Sequence, residues 1–249
     1  CNSGGTSSQS SNNSTIVTVE RGAVINATVK DANGQIATTE SNNNYKFANN
    51  IVYPITVTGG FIDLDDSGDK SVGDLELTIP LTTYSGTNIT MITTAIADSD
   101  TTKREQKLQA LATSLGTTKE ELLKLPSQSY DSSILSNELF KAIKEDENIG
   151  LSTLVENIET NGLKTKFTNK KAQIDTTKAT KEFALNLEQE YIQELINAGK
   201  VNTITYSDLK EELSGKSFEL SLFHVNDIHS HITSEALTYS VNGVSKSVQ

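Results

Sequence analysis

The sequence predicts a multi-part α+β chain: an antiparallel β-sandwich-like module, then an α-helical region, then the first strand of an α/β domain. Three observations predict it. From Thr15 short apolar runs alternate with turn residues roughly every eight to twelve residues, as in sandwiches. After Asp98 the apolar spacing becomes helical. Near the end Phe218, Leu220 and Leu222 alternate while Phe223 and Val225 fill the other face, the pattern of a strand buried on both sides. The chain thus divides into a tether over 1–14, a β module over 15–97, a helical region over 98–215 and a last segment over 216–249, with Gly215 at the final joint.

The tether is Ser, Asn and Gly with almost no apolar side chain, so it cannot offset the entropy of ordering. Cys1 is the single cysteine, which excludes an internal disulfide. Followed by Asn2-Ser3-Gly4-Gly5-Thr6-Ser7-Ser8, it resembles the acylated cysteine of a mature bacterial lipoprotein. That resemblance implies a removed signal peptide, membrane attachment through lipidated Cys1, and a place in the cell envelope, periplasmic or on the surface, with the outer membrane favoured. A formal net charge of -11 repels phosphate backbones, so nucleic-acid polymers are excluded as partners of the whole chain, while a metal-held mononucleotide is not. No apolar run approaches the roughly 18 residues of a membrane helix.

In the β module, Ile16–Val19 and Ala23–Val29 read as strands. Asp31-Ala32-Asn33-Gly34 reads as the turn after them, and Glu40-Ser41-Asn42-Asn43-Asn44 as a second turn before Tyr45-Lys46-Phe47. Residues 22–47 also resemble the transthyretin-like, carboxypeptidase-regulatory type of β-sandwich, which implies a spacer or binding module without catalysis.

Asp63-Leu64-Asp65-Asp66-Ser67-Gly68-Asp69-Lys70-Ser71-Val72-Gly73-Asp74 fits a calcium loop of twelve residues. Oxygen ligands fall at positions one (Asp63), three (Asp65), five (Ser67), nine (Ser71) and twelve (Asp74), with Asp69 at seven and Gly68 at the sharp turn. Lys70 departs from the pattern at a position that is normally apolar. Leu75–Ile79 reads as a strand and not as an exiting helix, so the prediction is a strand-loop-strand Ca2+ site whose role is rigidity. The competing reading is an acidic, solvated hairpin.

Ile89–Ile96 adds a further apolar run. Beyond it, Leu108, Leu111, Ala112 and Leu115 lie at helical spacing and Gly116 stops that helix. Thr118-Lys119-Glu120-Glu121 has the form of a capping box, and Pro126 ends the short helix it starts. Helices follow over 132–147, 151–158 and 177–198; the last carries a core stripe of Phe183, Leu187, Tyr191 and Leu195 and stops at Gly199. By the same periodicity Glu188, Glu190 and Glu194 face solvent. A strand over 201–206 and a helix over 207–213 lead to the joint.

The strand over 218–225 delivers Asn226-Asp227-Ile228-His229-Ser230-His231. A carboxylate and an imidazole beyond a strand's carboxyl end suggest metal ligation. This turn resembles the one that opens the calcineurin-like metallophosphoesterases, within them the 5'-nucleotidase and cyclic-phosphodiesterase branch. The resemblance implies that Asp227 and His229 hold one ion of a divalent transition-metal pair. It also implies a nucleotide or other phosphate ester as substrate, hydrolysed by metal-activated water in nucleotide catabolism. His231 is a second-sphere or phosphate contact, and His224 reads as a core residue. The family's later motifs, including the bridging Asp, have no counterpart after His231 in these 249 residues, so this chain alone is expected to be inactive. A hairpin over 236–244 with Asn242-Gly243 as its turn completes the reading. The alternative is a non-enzymatic, calcium-stabilised surface lipoprotein serving in binding, adhesion or spacing.

Overall fold

The computed structural model describes residues 13–71 and 73–198, and the strands at 237–241 and 244–248. The chain forms two units, Cys1–Asn202 and Thr203–Gln249. In the first, the described residues form ten short strands followed by seven helices, a mixed α+β architecture. The strands are β1 (Thr15–Glu20), β2 (Val24–Ile25), β3 (Thr28–Lys30), β4 (Thr38–Ser41), β5 (Asn44–Phe47), β6 (Ile55–Thr58), β7 (Phe61–Ile62), β8 (Leu75–Glu76), β9 (Leu81–Thr83) and β10 (Asn88–Thr90). They build three small sheets, ordered β10-β1-β5-β4, β2-β7-β8 and β3-β6-β9, in which β1 and β10 run parallel and the other pairs antiparallel.

The run over 23–29 is two strands because Asn26 adopts φ 55 between them. The buried Tyr45 hydroxyl bridges the break, donating to the Val24 carbonyl at 2.7 Å and accepting from the Ala27 amide at 3.1 Å. At the predicted turn, the Gly34 amide donates to the Asp31 carbonyl and Gly34 has φ 85. Strand β4 has no counterpart in the sequence reading: all four of its residues are exposed, so it carries no apolar alternation.

The helices are α1 (Met91–Ala95), α2 (Thr101–Leu115), α3 (Lys119–Leu123), α4 (Tyr130–Glu145), α5 (Leu151–Glu156), α6 (Leu163–Lys171) and α7 (Thr180–Asn197). Within the run at 89–96, Ile89 and Thr90 belong to β10 and the chain turns helical from Met91, because the Thr90 hydroxyl accepts from the Thr93 amide while the Thr93 hydroxyl accepts from the Thr90 amide. Gly116 caps α2 at φ 62 as predicted; the Thr118 hydroxyl caps α3 by accepting from the Glu121 amide, but the other half of the predicted capping box is not formed, because the Glu121 carboxylate accepts from Ser129 and Lys124 instead. Pro126 opens a 3-10 turn, and the Ser129 hydroxyl caps α4. Helix α6 was not legible: only Leu163 and Phe167 are buried in a Lys-rich segment.

A single buried cluster runs through this unit, from Val17, Tyr45, Phe47 and Val57 to Leu111, Phe140, Phe167 and Leu187. Helix α4 is central. It packs edge-on aromatics against α7, Phe140 against Tyr191 and Tyr130 against Phe183. Among the described residues no helix is long and apolar enough to cross a membrane.

In the second unit β11 (Leu237–Val241) pairs antiparallel with β12 (Val244–Val248), with Val241 opposite Val244, as the hairpin pattern predicts. Its turn residues Asn242 and Gly243 lie outside the described residues. So do the elements predicted at 201–206, 207–213 and 218–225, the Gly199 stop and the joint at Gly215.

Candidate functional site

The loop between β7 and β8 is built from its first aspartate. The Asp63 amide donates to the Ala23 carbonyl at 2.8 Å, which ends the strand pairing and turns the side chain inward, where Asp63 is 3% exposed. Its carboxylate accepts from the Ser67 amide at 3.2 Å and the Gly68 amide at 2.8 Å. Gly68 takes φ 80, a left-handed conformation that favours glycine, and its bare Cα leaves room for the exposed Asn42 side chain to rest against it.

Asp65 also accepts from the Ser67 amide, and the Ser67 hydroxyl donates to the Asp69 carbonyl at 2.8 Å. Asp74 closes the loop by accepting from the Leu64 amide at 3.0 Å and the Ser71 amide at 2.8 Å. Carboxylate oxygens of Asp63, Asp65 and Asp74 thereby lie within 4.8 Å of one another. The Asp69 side chain is exposed and stands outside this group. Lys70, the departure from the loop pattern, folds back over the Phe61 ring at 4.6 Å.

Electrostatics follow from crowding. Burial, then the proton shared with Asp65 and the charge of Asp74, push Asp63 up to about 6. Burial also raises Asp74, followed by repulsion from Asp65. For Asp65 burial acts upward, but hydrogen bonds from Ser67, Asp63 and Ser71 outweigh it and hold the carboxyl below its usual value. The Ser71 hydroxyl oxygen is closed to solvent and makes no well-formed hydrogen bond, although it stands near enough to Asp65 and Asp74 to favour their ionised forms.

A second polar cluster lies behind the loop. Buried Arg21 stacks over Phe140 at 4.0 Å, stands 3.8 Å from Glu188 and donates to Asn137 at 3.3 Å. Glu188 is 5% exposed, which corrects the expectation of a solvated position, whereas Glu190 and Glu194 are exposed and pair with Lys170 and Lys141. Burial is the main cause that raises Glu188 to about 8; Arg21 opposes it, and Glu20, Asp63 and Asp66 add to it. Helical spacing sets position 188 beside Ala184, Tyr191 and Leu195 on the buried face; it is the charge of glutamate that argues for solvent, and Arg21 and the bare Gly22 backbone are what make its burial possible.

The other predicted site residues, Cys1, Asp227, His229 and His231, lie outside the described residues, as does His224. No family model, curated protein or solved structure matches the chain.

Proposed function

We propose that the chain is the amino-terminal part of an exported, lipid-anchored phosphoesterase of the 5'-nucleotidase type, preceded by a sandwich-like and helical spacer. The observation that carries this reading is the Asn226-Asp227-Ile228-His229 turn after an apolar run. The Asn/Ser/Gly-rich tract at Cys1 supports the anchor, and the hairpin at 237–248 agrees with an insertion early in such a domain. Asp227 and His229 are the residues that would hold the first metal. The test is phosphate release from nucleoside monophosphates by the product of the complete reading frame. Chelator-sensitive release that Asp227→Asn abolishes supports the reading, and metal-independent or absent release sinks it.

A second reading, a calcium-stabilised surface module, is favoured by the convergence of Asp63, Asp65 and Asp74. A hard cation prefers several oxygens in a flexible loop, and this one offers three carboxylates with Ser67, Ser71 and the Asp69 carbonyl nearby. Calcium calorimetry on the 249-residue chain decides it: a saturable heat lost in Asp65→Asn supports the site. The two readings are compatible, because the loop and the 226–229 turn lie in different units.

A further inference from the structure

Two buried carboxyl groups, Glu20 and Glu188, stand around one buried guanidinium, Arg21, at the turn between β1 and β2. Hydrogen-bond donors reach them unequally. Glu20 accepts from the Ser127 amide at 2.9 Å and the Ser127 hydroxyl at 2.7 Å. Glu188, in the middle of α7, accepts no hydrogen bond from any described residue: Arg21 stands 3.8 Å away, beyond hydrogen-bond reach, and donates instead to Asn137 while it stacks on Phe140. The Glu188 carboxyl rests on the bare Cα of Gly22. A buried carboxylate without donors is costly, so of the two groups Glu20 is fitted to carry the charge and Glu188 the proton.

We propose that Glu188 is a proton-operated latch: its neutral carboxyl seats α7 against the Arg21–Gly22 turn, and loss of the proton opens that turn to water while the rest of the unit stays folded.

The surrounding groups favour retention of the proton. Arg21 opposes it, whereas burial, Glu20 on β1, and Asp63 and Asp66 on the loop before β8 all act to keep it. Lys181 on α7 pairs with Asp66 and faces Glu20; Tyr191, one turn along α7, faces Arg21 with a hydroxyl that burial keeps protonated. From α4 the neutral Asn137 and Phe140 meet Arg21 and bring no charge.

The number of fastenings decides which side gives way. Helix α7 is held by buried Phe183, Ala184, Leu187 and Tyr191, by the Thr180 hydroxyl donating to the Ser127 carbonyl at 2.7 Å, and by the Lys170–Glu190 and Lys141–Glu194 pairs. The turn is held by the Asp63 amide on the Ala23 carbonyl, by the bridge between Glu20 and Ala23, and by Arg21, whose Nε is buried without a partner. Opening the turn is thus the smaller rearrangement that hydrates an ionised Glu188.

The test follows the 249-residue chain in EDTA by carbon-13 NMR of its glutamate carboxyls and by amide exchange, expressed as protection factors so that the intrinsic pH dependence of exchange drops out. One carboxyl, absent from Glu188→Gln, should titrate near pH 8. Because the closed turn holds the proton, protection at the Ala23 and Asp63 amides should fall as pH rises, by about tenfold or more from about pH 6.5 to about pH 8.5. Dilute urea should leave that opening unchanged, since a local opening exposes little surface. Glu188→Gln should abolish the pH slope at both amides. A Glu188 carboxyl that titrates in the ordinary carboxylate range overturns the latch. So does protection lost only in step with added urea, or a slope that persists in Glu188→Gln, where Asp63 is left as the titrating neighbour.

Discussion

Asp31 illustrates how one carboxylate can hold a turn. It is buried, and it accepts from the backbone amides of Gln35 at 2.8 Å, Asn33 at 3.0 Å and Val52 at 3.1 Å. Burial acts to raise its pKa, but these hydrogen bonds outweigh burial and hold it below its ordinary value. Its contribution is therefore present above the unfolded value and is lost as pH falls through the folded one. Asp31→Ala leaves three amides without their acceptor and is expected to cost about 2–3 kcal/mol, read from the urea midpoint at pH 7. Glu188 behaves in the opposite way. Its carboxyl is raised from 4.5 to about 8, so the folded chain binds the extra proton and stability declines as pH rises across that window. In EDTA, the urea midpoint should fall from pH 6 to pH 8.5, and Glu188→Gln should flatten that slope; an unchanged slope would falsify the assignment. The Asp31 turn was legible because Asp, Asn and Gly act on their own backbone. Burial of Glu188 was not, because its partners Arg21 and Gly22 are far away in sequence.

Elements were legible where local chemistry decides them. Gly116 and Thr118 bound their helices as expected, since a left-handed stop and a side-chain cap act within one turn. Gly116→Ala meets no atom within 4 Å, so its cost is that of the φ 62 backbone alone, about 1 kcal/mol, and is read as a lowered melting temperature. Gly22→Ala is a harsher test. The new methyl would collide with the Glu188 carboxylate, and a loss of roughly 1–3 kcal/mol is expected, read as a lowered urea midpoint. The elements that escaped reading lack apolar period. Exposed β4 is held by pairing with β5, and α6 by two buried side chains beneath a basic surface. The run at 89–96 shows the converse: it is rich in apolar residues, and a capping box between Thr90 and Thr93 ends β10 and starts α1.

For the Cys1–Asn202 unit as a whole, sheets and helices share one core, and the acidic loop between β7 and β8 touches α7 through Leu64 and Asp66. If the loop takes calcium, occupancy at about a hundred times the dissociation constant should raise stability by about 2.7 kcal/mol, seen as a melting shift between calcium and EDTA that Asp65→Asn removes. The sequence by itself determined the α+β order, the capped helices, the C-terminal hairpin and the oxygen spacing of the loop, because each is written in neighbouring residues. Only the tertiary structure decided that Asp63, Asp65 and Asp74 converge while the Asp69 side chain does not. It also decided that Lys70 lies back on Phe61, that Glu188 is buried against Gly22, and that the loop reaches α7. The contacts of Glu188 with Gly22 and of Gln189 with Leu64 join residues distant along the chain, and the loop's convergence rests on backbone hydrogen bonds and left-handed turns; periodicity and spacing encode neither.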